Sequence, residues 1–217
     1  ITHPCVFIPH VPSITEDSQA AVHQLAGHKV WDSVEELNGY LRSLMESGEI
    51  NRAMNAPDTP KQQARKIAGE ALRTNNLEAS RQIADQALAI DPECVDALLA
   101  KTEFGEDASI PRYQEIVEIG RRQLDPELFE KQRGNFWGIY ETRPFLRALQ
   151  HLAVTCLWRE KFDEAIAACE EIIDLNHADN LGVREILLTL YLRLRQREKC
   201  AALIARFPLV ESATWNW

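Results

Sequence analysis

The side chains best suited to gripping a charged ligand fall in two short stretches. Trp137, Tyr140, Glu141, Arg143 and Arg147 lie close together, and Asp179, Asn180 and Arg184 follow further along the chain. Arginine offers a planar fork of N–H donors that binds a carboxylate or phosphate through two parallel bonds. Arg147 and Arg184 could receive such a group from a partner, in a polar pocket completed by Trp137, Tyr140, Glu141, Arg143 and Asn180. The same residues also support a structural alternative, in which Glu141 pairs with an arginine to brace its segment and Trp137 plugs a joint. Charged groups beside a packed junction usually pair internally, which favours bracing. Loss of folding in Arg184→Ala with no partner present would point the same way.

The remaining candidates for chemistry fall away on spacing. There is no Gly-rich phosphate loop, G-x-S-x-G elbow or H-E-x-x-H pair. Glu35-Glu36 and Glu170-Glu171 are neighbours that point about 100° apart on a helix, so they cannot flank one substrate bond. His3, Cys5, His10, His23 and His28 gather near the N-terminus without the tight paired spacing of zinc ligands. They read as surface residues on an arm punctuated by Pro4, Pro9 and Pro12. The basic run from Arg193 to Lys199 reads as a solvated turn, with contact to an anionic partner as the alternative. No catalytic residue, metal or cofactor is expected.

Composition narrows the classes further. The 217 residues carry a net charge of −9, with 45% hydrophobic and 26% charged residues. That apolar content suits a folded chain, and the charge argues against non-specific grip on nucleic-acid phosphates. The longest apolar run near the C-terminus is broken by Thr189, far short of the roughly 20 residues needed to span a membrane. The five cysteines (Cys5, Cys94, Cys156, Cys169 and Cys200) are odd in number and lack a Cys-x-x-Cys pair. They read as reduced, mostly buried residues of a cytoplasmic protein. The opening Ile1-Thr-His-Pro lacks the basic region and apolar run of a secretory signal. With no initiator Met, and an end at 213–217 that reads as the first turn of another helix, a fragment of a longer protein is expected.

The elements that must position these residues repeat. Residues 61–91 read as two helices broken at Asn75-Asn76, with Ala64, Ile67, Ala68, Ala71 and Leu72 on one face. Ala79, Ile83, Ala84, Ala87 and Leu88 form the matching face, and Pro92 ends the pair. Asp125-Pro126 repeats Asp91-Pro92 after 34 residues. Unit starts at 61, 95, 146 and 180 are separated by 34, 51 and 34 residues, most of the excess lying in 132–144. The second unit has a loose middle at 105–109 and a poorly matching second helix near 110–124. The third places Leu149, Leu152, Ala153, Cys156, Ala165, Cys169, Ile172 and His177 at the defining positions. The fourth places Val183, Ile186, Leu187, Leu190 and Leu203 there, with Asp179 set to cap its first helix.

A 34-residue helix–turn–helix with small residues at Ala68, Ser80 and Ala87 resembles the tetratricopeptide repeat (TPR). The resemblance implies an all-α, right-handed superhelix of about four units near 61–94, 95–128, 146–179 and 180–213. The second half also resembles a narrower group of bacterial TPR proteins with the patterns G-x-F-W-G-x-x-E-T-R-P and L-N-P-x-D-N-x-G-x-R. Here these are Gly134-Asn-Phe-Trp-Gly-Ile-Tyr-Glu-Thr-Arg-Pro144 and Leu175-Asn-His-Ala-Asp-Asn-Leu-Gly-Val-Arg184, with His177 in place of proline. The resemblance implies a fold and no reaction. Some arrays of this family clamp a partner's C-terminal carboxylate between Lys and Asn side chains. Arg65, Gly69, Asp96 and Ala100 do not reproduce that clamp, so chaperone-tail binding is not expected.

Residues 1–58 form an N-terminal extension, and 59–217 the array. Residues 16–27 and 33–46 read as helices, the second amphipathic through Val34, Leu37, Tyr40, Leu41 and Leu44, with Ser33 and Glu36 as a capping box. Gly48 ends it, a linker covers 55–60, and the helix is expected to cap the first face of the array. The expected function is a non-catalytic scaffold binding a protein or peptide in the concave groove. The alternative is an accessory or regulatory domain whose catalytic or DNA-binding part lies outside the chain. Homodimerisation through the C-terminal end, where Trp215 and Trp217 would otherwise face water, remains open.

Overall fold

The computed structural model describes Leu25, residues 34–54 and residues 57–207. The helix expected at 16–27, the proline-punctuated arm, the N-terminal histidines, Cys5, Trp215 and Trp217 lie outside the described residues.

The described chain is all-helical. Helices α1 (Val34–Glu46) and α2 (Glu49–Met54) precede the array. Gly48, at φ +71°, separates them, so the helix end expected there is followed directly by a second short helix, for which the sequence pattern gave no expectation. The array begins with α3 (Pro60–Arg73) and α4 (Leu77–Ile90). Thr59 opens α3 with a reciprocal capping box, its side chain accepting from the Gln62 amide while the Gln62 side chain accepts from the Thr59 amide. Asn76 caps α4 at the expected break, through Oδ1 and the Ala79 amide at 2.9 Å.

Next come α5 (Val95–Lys101), α6 (Ser109–Arg122) and the short α7 (Pro126–Lys131). The insertion holds two 3-10 turns, Phe136–Gly138 and Tyr140–Thr142. Helices α8 (Arg143–Trp158), α9 (Phe162–Leu175), α10 (Val183–Arg193) and α11 (Arg197–Arg206) complete the described residues. Packing follows chain order. The hairpins are α3 on α4, α5 on α6, α8 on α9 and α10 on α11. They join through α4 on α5, α6 on α8 and α9 on α10, with α3 also on α5 and α5 on α8.

Two cores result. The first is built from small side chains: Ala64, Ala68, Ala71, Ala84, Ala87 and Ala97 are fully buried, with Cys94 beside them. Small residues let α3 and α4 approach closely, and the Ser80 hydroxyl ties them by donating to the Ala71 carbonyl at 2.8 Å. The second core is larger and built from bulkier residues, including Tyr113, Phe136, Phe145, Leu149, Ile172 and Leu190. Leu88 packs against both. The apolar faces read from the sequence supply much of both cores, while Ile67, Leu72, Ile83, Leu152 and Leu203 remain only half-buried. Cys94, Cys156, Cys169 and Cys200 are buried and free.

Candidate functional site

The insertion and the α9–α10 junction, which carry the two sequence patterns, meet in space. The His177 amide donates to the Gly134 carbonyl at 2.8 Å, and Asn135 pairs with Asn176 in an isolated antiparallel bridge. Gly134 sits at φ +89° with the His177 ring laid against it. A Cβ at Gly134 would lie 2.5 Å from His177 Nδ1, so both conformation and space require glycine. Within the insertion, the buried Thr142 hydroxyl donates to the carbonyls of Phe136 and Ile139. Arg143 donates from Nε to the Trp137 carbonyl at 2.9 Å, its guanidinium 5.1 Å from the Trp137 ring centroid. Phe136 is fully buried, with its ring 5.1 Å from that of Phe129.

The insertion also reaches back to the first helix of the array. Arg65 Nη2 donates to the Tyr140 carbonyl, and its guanidinium lies 3.6 Å from the Tyr140 ring centroid. Arg65, Asp96, Gln123, Glu141 and Phe145 help to line a cavity of about 100 Å³ beside this contact. The segment therefore spans from α3 to the α9–α10 junction.

Arg147 lies deeper. Its side chain is 0% exposed and that of Asp96 1%. Nε donates to Asp96 Oδ1 at 2.9 Å and Nη2 to Oδ2 at 2.7 Å. The carboxylate in this fork belongs to the protein itself. Burial, the largest single influence, would raise the Asp96 pKa, but the Arg147 guanidinium with smaller help from Arg65 and His151 holds the carboxyl below its ordinary range. One turn on, Gln150 donates to the Leu181 carbonyl at 2.9 Å. His151 packs against the rings of Phe104 and Tyr113, and its buried Nδ1 has no hydrogen-bond partner among the described residues. Burial lowers the His151 pKa to about 4, with Arg147 adding to the fall and Asp96 opposing it.

At the second stretch, Asp179 caps α10 from outside the helix. Oδ1 accepts from the Val183 amide at 2.8 Å and Oδ2 from the Arg184 amide at 3.2 Å. Burial nevertheless pushes its pKa up to about 6. Arg184 remains a third exposed, with Nε 3.6 Å from Asp179 Oδ2, and Asn180 is exposed. Tyr140 and Arg143 are buried, Trp137 is half-buried and Glu141 exposed. The structure thus brings Trp137, Tyr140 and Arg143 together in the insertion, sinks Arg147 between α5 and α8, and leaves Asn180 and Arg184 at the junction that the insertion braces.

Sequence reasoning passed over Asp96 and Arg65 as contributors. Asp96 and Arg147 each stand second in units that start at 95 and 146, so opposite charges at matching positions of successive first helices were a usable signal. In the basic run, Arg193 pairs with Glu160 at 2.9 Å and Lys199 with Glu170 at 2.7 Å. No group of three or more His, Cys, Asp or Glu among the described residues is placed to hold a metal ion, and no described helix is long and apolar enough to cross a membrane. Comparison with known protein families, with characterised proteins and with solved structures finds no match for the chain.

Proposed function

We propose that the chain is a TPR-type array acting as a non-catalytic scaffold, and that it binds a protein or peptide segment in the groove formed by the first helices of its units. The observation that carries this reading is the order of packing. Successive hairpins stack on their neighbours through α3, α5 and α8, the organisation of quasi-one-dimensional repeat proteins that use extended surfaces for recognition. The 34-residue stride of the sequence supports the same reading. The exposed and half-buried members of the polar set, Trp137, Glu141, Asn180 and Arg184, are the proposed contacts. Tyr140, Arg143 and Arg147 position the surface that carries them.

A displayed library of linear peptides, selected on the purified chain, tests this directly. Selected peptides should bind with measurable affinity by fluorescence anisotropy. Trp137→Ala and Arg184→Glu should each weaken binding by about tenfold or more, on the scale of a lost anchor residue. Failure to select any sequence, or unchanged affinity in both folded variants, would overturn the reading.

A further inference from the structure

The turn between α5 and α6 opens onto a separate cleft of about 690 Å³. Leu88 from α4 and Leu98 from α5 supply apolar lining, and Lys101, Glu103, Glu106 and Arg112 stand around it. Both cations are already held, Lys101 by Asp85 and Arg112 by Glu115. Glu103 and Glu106 form no ion pair within bridging distance of a described residue, and Arg159 nearby is held by Asp107 at 2.5 Å, with the Glu106 charge also acting on it. Ser109, only 6% exposed, lines the same cleft, and its hydroxyl makes no hydrogen bond to a described residue. The groups outside any direct ion pair or hydrogen bond are therefore two exposed carboxylates and one hydroxyl beside leucine side chains.

Packing fixes the turn that walls this cleft. Gly105 has φ +81°, and a Cβ there would lie 2.7 Å from Trp158 Cε3. The ring of Phe104 meets that of Trp158 edge-on, with centroids 4.8 Å apart. A wall held this way needs little ordering when a ligand arrives, which favours affinity.

We propose that this cleft is a docking site for a linear protein segment carrying Lys or Arg beside a leucine-sized apolar residue. Glu103 and Glu106 take the cation, Leu88 and Leu98 take the apolar side chain, and the Ser109 hydroxyl meets a backbone group of the segment. The cleft is open to solvent, a shape that suits an extended chain laid along it better than an enclosed small molecule. The net charge of −9 steers a basic partner toward the protein. The cleft touches α5 but includes none of Trp137, Glu141, Asn180 and Arg184, the contacts proposed for the groove, so the two readings fail separately.

The test uses a labelled peptide of alternating leucine and lysine, its glutamate-for-lysine counterpart, and two doubly substituted chains. Glu103→Gln with Glu106→Gln alters the cleft. Asp163→Asn with Glu164→Gln makes the same charge change on the exposed first turn of α9. The basic peptide should bind, the acidic one should not, and the cleft variant should weaken binding by about tenfold while the control changes it less than about twofold. Amide shifts on binding should map to 98–112. Equal weakening by both variants, shifts confined to other regions, or no binding of the basic peptide would each overturn the proposal.

Discussion

Asp96 and Arg147 form the most deeply buried ion pair among the described residues, and neither has solvent to fall back on. Removing one partner leaves the other charge buried, so Asp96→Ala should lower stability by about 3–5 kcal/mol in urea unfolding. Replacing both, as Asp96→Leu with Arg147→Met, should recover most of that loss, since a buried ion pair is often matched by apolar packing. A double variant as unstable as the single would show that the pair does more than satisfy itself. His151 lies in the same cluster, facing Asp96, Arg147 and the rings of Tyr113 and Phe104. Its pKa falls from 6.5 to about 4 on folding, so the stability linked to it is intact above pH 6.5 and is lost as pH falls toward 4. The full loss is on the order of 3 kcal/mol. Asp179 works in the opposite sense. Its pKa rises from 3.8 to about 6, so it favours the fold as pH falls through that interval. The two partly cancel in the intact protein. Against wild type, His151→Gln should gain relative stability between pH 7 and pH 4.5, and Asp179→Asn should lose it, as read from urea midpoints across that range.

Among the elements, the insertion is the one whose role depends most on contacts far along the chain. It touches α3 through Arg65 and the α9–α10 junction through Gly134, and it is held internally by Thr142. Gly134→Ala adds a carbon into the His177 ring at a left-handed backbone position, for which about 1–3 kcal/mol is expected. Native-state hydrogen exchange should show the His177 amide, whose acceptor is the Gly134 carbonyl, exchanging faster in that variant. Unchanged protection there would mean that the insertion rests on the junction without bracing it. At the start of the array, loss of the Thr59 side-chain cap in Thr59→Ala should cost about 1 kcal/mol.

At the scale of the whole molecule, stability is expected to be uneven. The first hairpin buries alanines, and the later ones bury leucine, isoleucine and aromatic side chains. Burial free energy follows apolar area, so the α3–α4 amides should exchange at lower free energy than those of α8 and α9. Uniform protection across the array would show that the two cores unfold as one. The sequence determined the helical hairpins. Their apolar spacing, the Thr59 and Asn76 caps and the breaks at Gly48 and Asn75-Asn76 act within a few residues, where identity alone decides conformation. It also located the insertion, because a gap in the stride is visible without coordinates. Only the tertiary structure decided what fills the fork of Arg147, since its partner lies 51 residues away and charge alone does not choose between a neighbour's carboxylate and a ligand's. The docking of Gly134 on His177 and the stacking of Arg65 on Tyr140 were hidden for the same reason. Contacts across that much chain are set by how hairpins stack, and no local pattern encodes them.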